Sequence, residues 1–435
     1  MKPRLSDTLR ELAGVPVPRF TGGNTLRLLQ GGDELFPSME AAIAAARHEV
    51  WLATYIFHDD PAAQRIAQAL VAAAARGVAV RVVVDGFGSI KSMPAVRAFF
   101  AGSAVQLEVF RPLDRWWAWL QPGQLRRLHQ KLCVCDAPAA GEAGADGLVA
   151  FVGGINLIDD RHDLNHGWSD QPRLDFAVQF SGPLAASARA TTRAMWTRAH
   201  LARHWRSEFR EAATGGHPVG DTLALLQPLR GSAALEQTGA RDDPAPVRAA
   251  FLVRDNLRQR RVIERSFVEA IRHARHSVDI AVPYFYPGHG FRRALRRAAR
   301  RGVHVRLLLQ GKVDYRIAAL AAQAVYDELR GHGVRIYEYR PAFLHAKVAC
   351  IDGEWSTVGS SNIDPLSLLL NLEANVVVRD AGFAQQLTQR FEQAFALSEE
   401  VGAPVKGGLR GWATRVVVAF AATLYLRVAG ITGRY

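Results

Sequence analysis

The sequence predicts a duplicated α/β domain whose two halves face each other across a pseudo-two-fold axis. The first observation behind this is an internal repeat. Ala73-Ala74-Ala75-Arg76-Gly77-Val78-Ala79-Val80-Arg81-Val82-Val83-Val84-Asp85-Gly86 aligns with Ala298-Ala299-Arg300-Arg301-Gly302-Val303-His304-Val305-Arg306-Leu307-Leu308-Leu309-Gln310-Gly311. Each reads as a helix end, a Gly in the C′ position and a buried strand closed by a second Gly. The second observation is the order of the flanking elements. An apolar run ending in aromatics precedes each copy, Val50 to Phe57 and Val278 to Phe285, and Phe110-Arg111-Pro112 is echoed downstream by Tyr339-Arg340-Pro341. Strand, helix and strand in that order make parallel crossover units. The third is a set of polar residues that recurs at the equivalent place in both copies. The period is far too long for a solenoid.

The 435 residues suffice for two to three domains with a substantial core. Apolar residues at 49% and charged residues at 22% exclude wholesale disorder. A net charge of +13 favours anionic partners: nucleic acid, phosphorylated small molecules or an acidic membrane surface. Only six basic residues are Lys and 48 are Arg, a bias that the Ala- and Gly-rich composition explains as readily as phosphate binding does. Three Cys cannot build a disulfide framework, and each lies in an apolar run, so a reduced, cytosolic-facing protein is expected. The N-terminal residues lack the apolar core of a signal peptide, and no uncharged apolar stretch reaches the 18 to 20 or so residues of a spanning helix. Gly- and Pro-containing residues around 214–218 and a polar stretch at 237–246 mark the junction. The expected division is a first lobe at 1–213, a second at 214–400 and an apolar, basic tail at 401–435.

The chemistry is expected at two places. Leu128-His129-Gln130-Lys131-Leu132-Cys133-Val134-Cys135-Asp136 and Leu344-His345-Ala346-Lys347-Val348-Ala349-Cys350-Ile351-Asp352 share the pattern His-x-Lys-x-x-x-x-Asp. On a strand, i and i+2 share a face, so His129 with Lys131 and His345 with Lys347 point together. Asp136 and Asp352 complete the motif, but their odd spacing from the His puts them on the opposite face, as structural or supporting groups. A second strand then ends in Gly153-Gly154-Ile155-Asn156 or Gly359-Ser360-Ser361-Asn362. The His-to-Asn spacing is 27 residues in one copy and 17 in the other, a difference held by the turn. Asp352-Gly353 reads as a tight hairpin. In both copies the Asn returns beside the His and Lys. Two imidazoles, two ammonium groups and two amides suit attack on a phosphodiester: one His as nucleophile, the other as acid to the leaving oxygen, with Lys and Asn on the non-bridging oxygens.

These residues resemble the phospholipase D superfamily, whose hallmark is a duplicated His-Lys-Asp motif, over roughly residues 25 to 400. Within it the second half is most similar to the bacterial cardiolipin synthases of B type. The residues behind that narrower likeness are Arg254-Asp255-Asn256, Tyr284-Phe285-Tyr286-Pro287-Gly288, Gly302 to Gly311, Gly359 to Ser367 and Asn371-Leu372-Glu373-Ala374-Asn375. The resemblance implies two sheet lobes flanked by helices with one active site at their interface, and metal- and cofactor-free catalysis through a phosphohistidine. It implies His129 as the nucleophile, His345 as acid and then base, and Asn156, Asn362 and Ser360 as substrate-binding residues. A carboxylate orienting each His is also implied, Glu373 for His345 and Asp175 for His129. The implied reaction moves a phosphatidyl group from one phosphatidylglycerol to another, releasing glycerol. A hydrolase or transphosphatidylase using another donor or acceptor, phosphatidylethanolamine among them, stands beside it, and charge alone favours a nucleic-acid phosphodiesterase. Intact motifs in both halves argue against an inactive scaffold.

Four further features carry expectations. Asp159 to His166 resembles a metal site in composition without helical or hairpin spacing, and reads as a loop over the active site. Trp116-Trp117-Ala118-Trp119-Leu120 reads as core or as an interfacial wedge. Phe291 to Arg301 reads as a helix with one strongly basic face. The tail places eleven uncharged residues, Val416 to Leu426, between Arg415 and Arg427. As a helix they would extend about 16 Å, enough to lie in a membrane interface but not to cross it. The expected location is peripheral, on the cytoplasmic side of an inner membrane.

Overall fold

In the computed structural model the described residues are 18–112, 126–137, 147–164, 166–214 (backbone only from 205), 247–255, 259–283, 285–312, 325–364 and 371–402. The Trp116–Trp119 cluster and the tail from 403 lie outside them. The first lobe supplies β1 (Thr25–Gln30), α1 (Gly31–Ala45), β2 (Glu49–Thr54), α2 (Pro61–Ala75), β3 (Ala79–Asp85), α3 (Met93–Phe100) and β4 (Gln106–Phe110). It continues through β5 (Arg127–Leu128), β6 (Leu132–Cys135), β7 (Val149–Gly153), β8 (His162–Asp163), β9 (Gly167–Trp168), β10 (Phe176–Ser181) and α4 (Pro183–Thr214). Its seven-stranded sheet runs β1-β10-β7-β6-β2-β3-β4, parallel only across β2, β3 and β4.

The second lobe repeats this plan with β11 (Arg248–Arg254), α5 (Val262–His273), β12 (Ser277–Val282), α6 (His289–Arg300), β13 (His304–Gln310) and β14 (Arg335–Tyr339). Then come β15 (Val348–Ile351), β16 (Trp355–Gly359), β17 (Asn371–Arg379), α7 (Ala381–Ala396) and β18 (Ser398–Glu400). The order is β11-β17-β16-β15-β12-β13-β14-β18, again parallel across β12, β13 and β14. β5, from the first lobe, adds to this sheet beside β17.

Local chemistry accounts for the repeat. Asp60 caps α2 by accepting from the Ala63 amide at 3.0 Å, with Pro61 in the first turn. The α2 and α6 ends are turned by Gly77 at φ +88° and Gly302 at φ +87°, the left-handed region that the C′ position requires. The residue after each glycine then bonds back, Val78 to the Ala73 carbonyl and Val303 to that of Ala298, both at 3.2 Å. Strands β2, β3, β12 and β13 are Val-, Leu- and Ile-rich because both faces are covered. Outer helices cover one face of each sheet. On the other faces Leu132, Val152 and Val178 share one core with Val348, Val358 and Val376, joined by residues of α4 and α7.

Two expectations change here. Residues Asp159–His166 do have hairpin logic: β8 and β9 pair antiparallel, His162 opposite Trp168. The basic face of α6 is partly neutralised, since Arg292 and Arg296 both pair with Glu328, at 2.5 and 3.0 Å.

Candidate active site

The two motif runs are not single regular strands. β5 stops at Leu128, β6 begins at Leu132, and His129 and Lys131 sit in the break between them. That break carries the chain from one lobe's sheet to the other's. β5 pairs parallel with the start of β17, Leu128 opposite Leu372, and the His129 amide donates to the Leu372 carbonyl at 3.0 Å. The second lobe mirrors this: Leu344 bridges in parallel to Leu174, and the His345 amide donates to the Leu174 carbonyl at 2.9 Å.

This exchange decides which carboxylate meets which imidazole. His129 Nδ1 lies 2.9 Å from Glu373 Oε2, and His345 Nδ1 lies 2.6 Å from Asp175 Oδ2. The pairing expected from chain order, each His with the carboxylate downstream in its own lobe, is therefore corrected: the carboxylates cross. The parallel register across the interface places residue 373 beside residue 129, and residue 175 beside residue 345. Each ring is left with Nε2 for a reacting atom. Neither lobe alone orients its histidine.

Lys131 and Lys347 are buried, and each ammonium folds back onto the carbonyl of its own motif His, at 2.8 Å for Lys131. Burial lowers both, Lys131 to about 7 and Lys347 to about 8. A bound phosphodiester anion would favour the charged ammonium and restore it. Asn156 is buried and accepts from the Ile56 amide at 3.3 Å through Oδ1, which leaves its NH2 group for a substrate oxygen. Asn362 Oδ1 is buried without a partner among the described residues. Tyr55 packs on the His129 ring, centroids 4.9 Å apart, with Lys131 Nζ 5.4 Å from the Tyr55 ring centre.

The two His–carboxylate pairs differ. Glu373 is fully buried. Its Oε2 also accepts from the Ser360 hydroxyl at 2.5 Å, and its Oε1 from Arg254 Nη2 at 3.2 Å. Burial alone would raise this carboxyl; His129, Arg254 and Lys131 outweigh it and hold Glu373 below its ordinary value. Asp175 Oδ1 accepts from the Phe176 amide at 2.8 Å, and among the described residues no arginine or hydroxyl is hydrogen-bonded to this carboxylate. Gly154 stands where the second lobe has Ser360, and a Cβ there would lie 2.3 Å from Asp175 Oδ1, so only glycine leaves the space. Burial pushes Asp175 up to about 7. Burial lowers His129 to about 4, and burial with the Lys347 charge lowers His345 well below its usual value.

Ser360 is corrected as well. It is wholly buried, donates to Glu373 and accepts from the Ala374 amide at 3.1 Å, so it orients a carboxylate and does not face substrate. Arg254, whose motif Arg254-Asp255-Asn256 carries no sign of a role, lies directly across the β11–β17 ladder from Glu373. Tyr55 is one of the aromatics near the end of the Val50 to Phe57 run, the one sequence signal that points to it. Cys133 and Cys135 pack in the first lobe's core.

Asp136 and Asp352 lie outside the centre. Asp136 accepts from the amides of Arg47, His48 and Glu49 at 3.1, 2.7 and 2.9 Å; Asp352 accepts from those of Arg275, His276 and Ser277 at 2.8, 2.7 and 2.9 Å. Membership of the motif therefore gives them no place at the reacting atoms: each ties the end of its strand to the entry of the neighbouring one. Asp352 and Gly353 both have positive φ, +54° and +64°, the tight hairpin expected. Asp136→Ala and Asp352→Ala are each expected to cost about 1–2 kcal/mol, since several amide bonds go at a partly exposed site. Thermal unfolding should show this, with turnover per folded molecule unchanged; a loss comparable to that of a histidine variant would contradict the placement.

The family model described as "Cardiolipin synthase, PLD-like domain" matches this chain twice, at residues 39–167 and 267–395. The chain belongs to the cardiolipin synthase family of the phospholipase D superfamily. It is 35% identical over 370 residues to cardiolipin synthase B of Salmonella typhi, covering 85% of this chain and 80% of that one. It is 31% identical over 380 residues to cardiolipin synthase A of Pseudomonas entomophila, covering 87% and 70%. The crystal structure of a phosphatidylserine synthase from Haemophilus influenzae superposes with a TM-score of 0.61 at 11% identity, covering 99% of both chains, which shows the shared fold. The duplicated α/β architecture and the superfamily's phosphatidyltransferase class thus hold for this protein.

Proposed function

We propose that this enzyme transfers a phosphatidyl group from one phosphatidylglycerol to another through a phosphohistidine on His129. The observation that carries the order of steps is the unequal support of the two carboxylates. Glu373, fixed as an anion by Arg254 and Ser360, keeps the proton of His129 on Nδ1 and Nε2 unprotonated, as a nucleophile requires. Asp175 and His345, 2.6 Å apart, act as a pair that takes up a proton near neutrality and can deliver it at Nε2. In the first step His129 Nε2 bonds to phosphorus, the bond to the glycerol headgroup oxygen breaks, and His345 protonates that oxygen. In the second, the hydroxyl of the acceptor lipid gives its proton to His345 and attacks phosphorus, and the P–N bond breaks. Lys131, Lys347, Asn156 and Asn362 would hold the non-bridging oxygens without a metal.

Incubating the purified chain with headgroup-labelled phosphatidylglycerol should yield cardiolipin and free labelled glycerol. Phosphatidic acid as the main product would make it a hydrolase, and incorporation only when phosphatidylethanolamine is added would change the second lipid. Exposed Trp168 and Leu164 on the β8–β9 hairpin supply apolar contacts for a peripheral membrane surface. Among the described residues no helix is long and apolar enough to cross a membrane. Vesicle binding should weaken as salt rises. Truncation before Gly411 should release the protein from anionic vesicles, while a short-chain soluble phosphodiester is still cleaved.

The pH profile follows from the same pairs. Asp175 lies at about 7 in the folded protein, so the extra proton of the Asp175–His345 pair is present below that pH and lost above it. His129 lies at about 4, so its Nε2 becomes protonated only below that value. The kcat/KM profile is expected to be a bell, falling above about pH 7–8 as the acid is lost and below about pH 4 as the nucleophile is lost. Asp175→Asn should shift the alkaline limb; an unmoved limb would assign it to another group.

A further inference from the structure

A second cluster of potential ligands lies outside the catalytic pairs, where the residues after β2 meet the β8–β9 hairpin. We propose that His58, Asp60 and His162 bind one zinc-like divalent cation at this place.

The donor atoms His58 Nδ1, Asp60 Oδ2 and His162 Nδ1 lie within 4.8 Å of one another. Asp60 Oδ2 is 3.5 Å from the first nitrogen and 3.7 Å from the second. Those distances are long for hydrogen bonds but close to the separation of about 3.4 Å between ligands of a tetrahedral zinc at 2.0–2.1 Å. Among the described residues both buried Nδ1 atoms have no hydrogen-bond partner, a costly arrangement unless something else accepts their lone pairs. Asp59 Oδ1 comes within 3.0 Å of His58 Nδ1 without hydrogen-bond alignment, and it or a water can complete four ligands.

The surroundings hold these donors in place. Asp60 is buried; its Oδ1 caps α2 and its Oδ2 accepts from the Asp159 amide at 2.8 Å, leaving a lone pair on Oδ2. The His162 ring stacks on Trp168, centroids 4.9 Å apart and planes 6° apart, and meets the His58 ring edge-on at 4.7 Å. Two imidazoles with one carboxylate suit a borderline ion such as zinc, whereas magnesium and calcium favour all-oxygen shells. A separate set, Glu108, His200 and His204, is a weaker candidate, because His200 Nδ1 is already bonded to Glu108 at 2.8 Å.

The ion would join the hairpin to the residues between β2 and α2. Arg173 Nη2 donates to the His162 carbonyl at 3.1 Å and to Asp163 Oδ2 at 3.3 Å, and the Arg173 charge acts on both His345 and Lys347. The cation would therefore steady the hairpin that holds Arg173 without touching substrate.

The test uses the untagged, full-length protein stripped with a chelator and dialysed against zinc alone. We expect about one zinc per chain by elemental analysis, a rise in unfolding temperature with free zinc, and the visible spectrum of a four-coordinate site on cobalt substitution. His58→Gln and His162→Gln should each weaken binding by at least about tenfold, while His129→Ala keeps the full stoichiometry. Circular dichroism verifies that each variant is folded; should His58→Gln fail, His162→Gln on the short hairpin decides alone. Absence of stoichiometric zinc on the wild-type chain overturns the proposal. So does zinc retained at full affinity in the folded variants, which would assign the metal to another cluster.

Discussion

His129→Ala and His345→Ala are each expected to lower phosphatidyl transfer by about 10⁴-fold or more, and the double variant little further, because the two imidazoles act as one unit. The two failures should differ in kind. With a donor carrying a good leaving group, His345→Ala still forms the first P–N bond, since departure no longer needs an acid. It then stalls, because nothing activates the acceptor hydroxyl. A phosphatidyl mass increment should accumulate on the peptide containing His129. His129→Ala should carry no increment under the same conditions. Adduct on His345 would reverse the assigned roles, and turnover with no adduct on either residue would remove the covalent step.

Glu373→Gln is expected to have the largest combined effect. It keeps the size of the side chain and removes the charge that orients His129 Nδ1, which should cost about 10³–10⁴-fold in turnover. It also strands Arg254, which is 1% exposed, beside a neutral amide; loss of one partner of a buried pair costs about 3–5 kcal/mol. Asp175→Asn should match it in catalysis but not in stability, because among the described residues no arginine is bonded to Asp175. The crossing of the carboxylates makes a sharper prediction. With the good-leaving-group donor, Asp175→Asn should form the His129 adduct at close to the wild-type rate, and Glu373→Gln should not. Rapid-quench measurement of adduct formation decides this, and the opposite ranking would mean that each carboxylate serves its own lobe.

Much of this molecule follows from local rules. The C′ glycines Gly77 and Gly302, the Asp352-Gly353 hairpin and the apolar parallel strands each depend on a few neighbouring residues, and each stands where the repeat places it. The polar set His129, Lys131, Asn156, His345, Lys347 and Asn362 was legible from the duplicated motif spacing, a short-range property, although His129 and Lys131 sit in a break and not on a regular strand. The strand-face argument also put Asp136 and Asp352 away from the reacting groups, against their membership of the motif. By itself, then, the sequence determined the duplication and the superfamily, and it named the side chains proposed to react. Only the tertiary structure decided how the halves divide the work. Glu373 belongs to His129 and Asp175 to His345 because two short parallel contacts, Leu128 with Leu372 and Leu174 with Leu344, cross the interface. Ser360 and Arg254 support a carboxylate because the β16–β17 and β11–β17 ladders bring them there. His58 and Asp60 meet His162 through a hairpin about a hundred residues further along the chain. Hydrogen-bond register between segments so far apart leaves no periodicity in the chain, and it exists only once both sheets have formed and packed.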